Sequence, residues 1–228
     1  MARVVDPAAH AMRRDAFVDA AMRLIQTKGY EQTSLQDVLD QAEASRGAFY
    51  HYFDSKSGLL DAVIQRMVDT VAANLEPLVA DPDIPAIRKL QLFFAGIVEW
   101  KEERRGFLAA LLDVWLSDEN AIVREHLRLR VAERLTPLLT EILAQGEFEG
   151  TFSAGPADET ARVLISVIVA VNETATRLFL ATRDGTATYE DAVRTVTAYA
   201  EAMERILGIP TGSWPVPDEA SLRFWFAN

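Results

Sequence analysis

The sequence predicts an all-α protein with a small N-terminal three-helix head and a larger C-terminal helical bundle. Three observations lead to this fold class. Apolar residues recur every three to four positions along most of the 228 residues, whereas the alternation that is typical of strands is absent. Half of the residues are hydrophobic, which allows a sizeable core. Capping residues, glycine and proline separate the apolar segments from one another.

The composition narrows the function classes. The chain has no cysteine, which excludes disulfides and thiol chemistry and fits a cytoplasmic protein. Its longest apolar run, 163–171, is about half of a membrane span, so we expect no membrane partner. The net charge of −11 argues against general affinity for nucleic acid. Residues 1–60 carry only −1 of this charge, so any contact with a polyanion is expected there.

The head begins with a helix that is expected over residues 10–28 and ends at Gly29, a C-terminal cap. Residues 1–9 are expected to be disordered. Arg3 either belongs to a solvated tail, the more frequent case, or reaches a groove as part of an arm. The next helix is short, and Ser34 and Asp37 are spaced to form a capping box at its start. Its apolar face consists of Leu35, Val38, Leu39 and Ala42.

A third short helix is predicted to open at Ser45 and to bury Phe49 and Phe53, which lie one turn apart. Only residues 43–45 separate it from the second helix, so the two helices must meet at a steep angle. This geometry is that of a helix-turn-helix.

The outer face of the third helix predicts contact with DNA. If the two phenylalanines point inward, a guanidinium, a glycine, phenols and an imidazole are left outside, and these groups suit phosphates and base edges. Lys56 adds a cation at the start of the following helix. The predicted DNA-contacting residues are Thr33, Ser34, Ser45, Arg46, Gly47, Ala48, Tyr50, His51, Tyr52 and Lys56.

At these residues the sequence resembles the TetR family of bacterial transcriptional regulators. The resemblance covers about residues 12–60 and departs from the family pattern at the turn, where Glu43 replaces the usual glycine. The matching positions are Thr33-Ser34, Val38-Leu39, Ala42, Ser45 to Phe53, Ser55-Lys56 and Leu59. The resemblance implies a bacterial homodimer, more often a repressor than an activator, that binds a near-palindromic operator in double-stranded DNA.

The rest of the chain is expected to contain only helices, at about 55–79, 85–104, 106–117, 119–145, 157–183 and 188–207, with a loop over 147–156. The predicted domains are a DNA-binding head (1–56), a ligand-binding and dimerisation domain (57–208) and a tail (209–228). The last two long helices carry more apolar surface than one core contact requires. The resemblance implies that they pair with the same helices of a second subunit.

A small apolar or amphipathic inducer is also expected, because aromatic residues are dense over 85–117 and polar residues interrupt the apolar helix near residue 172. The predicted ligand-lining residues are Phe94, Trp100, Trp115, Asn172 and Thr176. Glu173 and Arg177, four positions apart, are expected to form a helix ion pair at most. The aromatic tail after residue 220 is expected to dock either on its own subunit or on the partner.

The sequence also bears on two other function classes. An enzyme is not expected, because His10, His51 and His126 lie far apart in the sequence and no metal motif or phosphate loop accompanies them. We therefore predict no catalytic residue, metal or cofactor. The alternative is a helical module that binds a protein, or a ligand, without binding DNA. The salt dependence of binding to duplex DNA separates these two classes, because only groove binding releases many counterions.

Overall fold

The computed structural model describes residues 7–227, apart from the side chains of residues 7, 113 and 114. Over this part of the chain it contains ten α-helices, one short 3-10 helix at Asp118–Asn120 and no strand, which confirms the predicted fold class. The helices are α1 (Pro7–Lys28), α2 (Leu35–Gln41), α3 (Arg46–Tyr52), α4 (Lys56–Ala80), α5 (Ala86–Glu103), α6 (Arg105–Trp115), α7 (Ala121–Phe148), α8 (Ala157–Arg183), α9 (Tyr189–Leu207) and α10 (Glu219–Phe226).

Most helix ends lie within one or two residues of the predicted positions, because local caps determine them. α9 begins after Thr188, which forms a capping box with Asp191, and ends at Gly208 with a left-handed φ of 64°. α1 begins at Pro7, three residues before the expected start at His10. Arg3 and the rest of residues 1–6 lie outside the described residues, so the expectation of a tail or arm stays a prediction there.

The predicted end of α7 near Gly146 is wrong, because this glycine provides space for a side chain and does not cap the helix. A Cβ atom at Gly146 would lie 2.0 Å from Cδ2 of the buried Phe152 ring. α7 therefore passes through Gly146 and continues to Phe148. The turn comes at Gly150, whose φ is +71°. The loop that follows spans 149–156 and is shorter than predicted.

The tail contains a helix that the periodicity did not predict. Asp218 caps α10 by accepting a hydrogen bond from the Ser221 N–H. Leu222 and Phe226 of α10 are buried against α8 and α9. Within the single chain, the tail therefore docks on its own subunit, which is one of the two expected outcomes.

Contacts divide the chain into two compact units, and the first consists of residues up to 67 together with 104–127. Its core joins the three head helices to α4 and α6, and α6 packs on α1. Arg66 of α4 pairs with Asp15 and Asp19 of α1 at the surface. The buried side chains of this unit include Phe17, Val18, Ile25, Phe49, Leu60, Val63, Phe107 and Leu111.

The second unit consists of residues 68–103 and 128–227 within the described part of the chain. Its core is aliphatic with a few aromatic rings, among them Phe93, which is fully buried. Arg130 and Arg134 of α7 pair with Asp69 of α4 at 2.7 and 3.1 Å. These units are not continuous in sequence, and the predicted functional boundary at residue 56 stays a prediction.

Candidate nucleic-acid interface

α2 begins with the predicted capping box. The Ser34 side chain accepts a hydrogen bond from the Asp37 N–H, and the Asp37 carboxylate accepts one from the Ser34 N–H at 2.7 Å. Lys28 at the end of α1 pairs with the same carboxylate at 2.6 Å. These contacts with Lys28 and Ser34 hold the pKa of Asp37 well below its usual range. α2 is thereby fixed to the end of α1.

The turn between α2 and α3 contains a non-glycine residue in a left-handed conformation. Glu43 has a φ of +47°, the one positive value at a non-glycine residue in the described part of the chain. The next N–H, that of Ala44, donates to the Leu39 carbonyl oxygen at 2.9 Å and closes the end of α2. A residue with a Cβ atom pays a steric cost in this conformation, roughly 1–2 kcal/mol.

We expect Glu43→Gly to stabilise the first unit by about 0.5–1 kcal/mol, since glycine removes the strain but loses more backbone entropy on folding. Urea denaturation would measure the change. Asp40→Gly is the matched control, because it places glycine within α2 and should cost about 1 kcal/mol. A destabilising effect of Glu43→Gly would show that this turn is not strained.

α3 has the predicted inner face. Ser45 caps its start by accepting from the Ala48 N–H at 3.2 Å. Phe49 is 0% exposed, and Phe53 is also buried. The Phe49 ring meets Phe17 of α1 edge-on, with ring centroids 5.5 Å apart. The aromatic contact between α1 and α3 therefore sets the direction in which the opposite face of α3 points.

The opposite face of α3 is open to solvent. Arg46, Gly47 and His51 are exposed, and Tyr50 is exposed over 51% of its surface. Ala48 is half-buried, as is Tyr52, whose ring packs against His10 of α1 at 4.6 Å. The structure thus brings the α3 residues of the predicted interface together on one helix, with the guanidinium and one phenol available to an outside partner.

Two predicted contacts precede α2 and are engaged within the protein. Thr33 is 2% exposed, and its hydroxyl donates to the Gly29 carbonyl oxygen at 2.7 Å. Its side chain is therefore turned into the head, contrary to the predicted contact with DNA. Ser34 is exposed, but its hydroxyl contributes to the capping box.

Lys56 also differs from the prediction. Its ammonium donates to the Tyr30 carbonyl oxygen at 2.6 Å and lies 4.1 Å from the centroid of the Tyr30 ring. Burial lowers the pKa of this lysine. In this position Lys56 ties the start of α4 to the turn that follows α1, and its ammonium is engaged within the protein. No local sequence pattern indicates this contact, because Tyr30 lies 26 residues before Lys56.

Four of the predicted ligand-lining residues, Phe94, Trp100, Asn172 and Thr176, belong to the second unit, and no cleft described there contains more than one of them. Phe94 packs against Trp214 of the tail, with ring centroids 4.6 Å apart. Trp115 belongs to the other compact unit. The Asn172 side chain accepts a hydrogen bond from Lys101, and the Thr176 hydroxyl donates to the Asn172 carbonyl oxygen. Glu173 and Arg177 form the expected ion pair at 2.7 Å.

Trp100 lines a cleft between α4 and α5. This cleft has a volume of about 240 Å³, and the remaining lining residues are Val71, Asn74, Leu75, Gly96, Glu99 and Glu103. None of the other four predicted residues lines it. Lys101 is not among the residues predicted from the sequence, although this lysine interrupts the apolar stripe of α5. Within the described residues, no three histidine or carboxylate side chains are grouped as a metal site would require.

Comparison with known proteins relates the helix-turn-helix segment to a family of bacterial regulators. Residues 17–63 match the model of bacterial regulatory proteins of the tetR family. This range includes all of α2 and α3 with the turn between them.

Curated relatives extend the similarity beyond the head. The transcriptional repressor DhaR of Mycobacterium sp. (strain GP1) is 28% identical over 138 residues, which are 60% of this chain and 69% of DhaR. The regulator EthR of Mycolicibacterium smegmatis is 28% identical over 69% of this chain and 81% of its own length. The repressor ComR of Escherichia coli (strain K12) is 37% identical, but over only 37% of this chain and 40% of ComR.

Solved structures show the same fold at low identity. RolR in complex with resorcinol has a TM-score of 0.63 at 18% identity, and the match covers 93% of this chain and 99% of RolR. The SmeT–triclosan complex has a TM-score of 0.59, again at 18% identity, with 91% of this chain and 96% of SmeT covered. The helix-turn-helix geometry, the match to the family model and the curated relatives agree: residues 17–63 are a DNA-binding helix-turn-helix of the tetR family, and the chain is similar to transcriptional regulators of that family.

Proposed function

We propose that this protein is a dimeric, cytoplasmic repressor whose affinity for a near-palindromic operator falls when a small amphipathic ligand binds its second unit. The main support for the proposal is that α3 has one buried apolar face and one exposed polar face. Phe49 is fully buried, while Arg46 and Tyr50 on the same short helix are exposed. A guanidinium on an exposed recognition helix suits the acceptor edge of guanine or a phosphate.

Dimerisation is supported by the exposed apolar surface of α8. This helix is the one in the described chain that is long and apolar enough to cross a membrane by length and composition, yet only 11% of its most apolar 18-residue window is buried. Val163 alone is 50% exposed. An apolar surface of this length is costly in water. We infer that a second copy covers it, with α9 contributing to the same interface.

Two subunits would place two α3 helices in successive major grooves, about 34–36 Å apart. A ligand that favours a different spacing of the two heads would lower the affinity for the operator. A tenfold loss requires about 1.4 kcal/mol of coupling between the two sites. The repressors DhaR and ComR support the proposed sign of regulation, and the resorcinol and triclosan complexes of RolR and SmeT support a small organic ligand.

The test is selection of bound duplexes from random DNA, followed by titration of the best duplex at several salt concentrations. We expect a near-palindromic sequence, a stoichiometry of two chains per duplex or a multiple of two, and a steep decrease in affinity with salt. Sedimentation of the DNA-free protein should give a dimer. Failure to enrich any duplex at low salt would contradict the proposal and favour the alternative of a protein-binding or ligand-binding module.

Lys56→Met distinguishes the observed contact of Lys56 with Tyr30 from the predicted contact with phosphate. Because the ammonium is bound to Tyr30, we expect weaker operator binding through a displaced α2, with an unchanged slope of log affinity against log salt. Loss of a phosphate contact would instead reduce the magnitude of the slope by about 0.9 per contact. Arg23→Met, at an exposed position on α1, controls for the loss of one positive charge from the head.

A further inference from the structure

One amine in the second unit has a single neutral partner. Lys101, near the end of α5, donates from Nζ to Oδ1 of Asn172 on α8 at 2.5 Å. A lysine ammonium has three donors, so this contact uses only one of them. No carboxylate among the described side chains forms an ion pair with Lys101. Burial lowers the pKa of the amine to about 8, as expected for a cation that lacks a counter-charge.

Asn172 cannot supply the missing charge, and its other polar groups are engaged within α8. Its Nδ2 donates to the Ile168 carbonyl oxygen at 3.0 Å. Its own carbonyl oxygen accepts from the Thr176 hydroxyl at 3.0 Å. These bonds hold the amide on the helix with Oδ1 directed at the amine. The pair is therefore a fixed polar group with unused donors on the lysine side.

Both members of this pair are accessible to solvent, Asn172 more than Lys101. On α8, Ala161 and Ile165 are buried, whereas Asn172, which follows Ile165 by seven positions on the same face, is exposed. On α5, Leu90 is fully buried, whereas Lys101, eleven positions later on the same face, is partly exposed. The apolar packing on these two faces is therefore interrupted at Lys101 and Asn172, and on α8 it resumes at Ala175 and Phe179. Half-buried Ile97 and Ile168 precede them on the same two stripes.

We propose that the solvent-accessible pair of Lys101 and Asn172 binds the oxyanion of a small amphipathic acid. The Lys101 ammonium pairs with the carboxylate or phenolate oxygen, and the apolar body of the ligand lies against Ile97 and Ile168. The chemistry is the same for both kinds of acid, because a charge-assisted hydrogen bond to an ammonium is stronger than a neutral one. This inference rests on the proposed function only in taking the bound acid to be the ligand that regulates DNA binding.

Isothermal titration calorimetry on the full-length protein without DNA tests the site with three probes of similar shape, namely benzoate, benzamide and benzylammonium. Benzoate should bind at least tenfold more tightly than benzamide, and benzylammonium more weakly than both. A nitrophenol then tests the phenolate source, since its ionised and neutral forms absorb differently and the bound form can be read directly. Equal affinity for benzoate and benzamide would overturn the proposal.

Substitutions at Lys101 test whether the preference for benzoate over benzamide depends on this lysine. Lys101→Met should remove the preference for benzoate over benzamide and leave the affinity for benzamide unchanged, whereas Lys101→Arg should retain the preference. Arg88→Met, at an exposed position on the same helix, is the matched control and should change neither affinity. An unchanged preference in Lys101→Met, with Lys101→Arg and the control folded and binding normally, would also overturn the proposal.

The pH profile gives an independent reading. Benzoate stays ionised, so its affinity should be constant below about pH 8 and fall by about tenfold per pH unit above it, as Lys101 loses its proton. An affinity that does not change across this range would contradict the site. Operator binding is measured separately. Benzoate bound through Lys101 without any change in operator affinity would support the anion site and contradict ligand control of DNA binding.

Discussion

Replacing Phe49 by alanine is expected to destabilise the first unit by about 3–5 kcal/mol, the usual cost of emptying a fully buried phenylalanine site. The ring is 0% exposed and touches Phe17, Tyr50 and Phe53. Its loss removes the contact that positions α3 on α1. Denaturant titration, followed by hydrogen exchange of the amides in α1–α3, would localise the loss to this unit.

Phe148→Ala is the matched control for this prediction. Phe148 is 93% exposed at the end of α7, so the same chemical change should alter stability by no more than about 0.5 kcal/mol. Phe49→Leu, which retains most of the apolar volume, should cost less than Phe49→Ala. Similar effects of Phe49→Ala and Phe148→Ala would mean that Phe49 does not support the head.

The double substitution Arg46→Ala and Tyr50→Ala is expected to weaken operator binding by at least about 30-fold while leaving the fold intact. One bidentate arginine–base contact contributes about 1–3 kcal/mol, and a dimer loses it twice. Both side chains are exposed on α3, so their removal leaves no cavity. Fluorescence anisotropy with the selected duplex measures the affinity, and thermal denaturation checks the fold.

Arg23→Ala controls for charge, because Arg23 is an exposed arginine of α1 in the same unit. It should reduce affinity far less than the double substitution. A loss of DNA binding that is accompanied by a large fall in melting temperature would show that Arg46 or Tyr50 supports the fold, contrary to the orientation of α3 described above.

Features that depend on neighbours in the sequence could be predicted from it. The capping box of Ser34 and Asp37, the inward Phe49 and the left-handed cap at Gly208 each involve residues within about one turn of one another. The non-glycine turn at Glu43 was also recognisable, because the family pattern has a glycine there.

Features that depend on residues far apart in the sequence could not be predicted from it. Lys56 contacts Tyr30, 26 positions earlier, and no local pattern distinguishes this contact from one with phosphate. Gly146 resembles a helix stop in the sequence, because the ring of Phe152 that needs the space lies outside α7. Lys101 and Asn172 are 71 positions apart, so the sequence could name one of them without indicating that they meet. The four predicted ligand-lining residues of the second unit share no described cleft for the same reason, since aromatic density does not specify which helix faces are opposite each other.

The packing of α6 on α1 affects how this regulator can be recombined with others. The first compact unit takes residues 104–127 from a point in the chain after α5, so it is interrupted in sequence by part of the second unit. A chimaera that exchanges only the segment up to residue 56 would combine a foreign α1 with the native α6, and the buried Phe107 and Leu111 would meet a surface that was not selected to fit them. Exchanges of operator specificity should therefore transfer α6 together with the recognition helix, or keep the native α1 and replace only the exposed positions of α3.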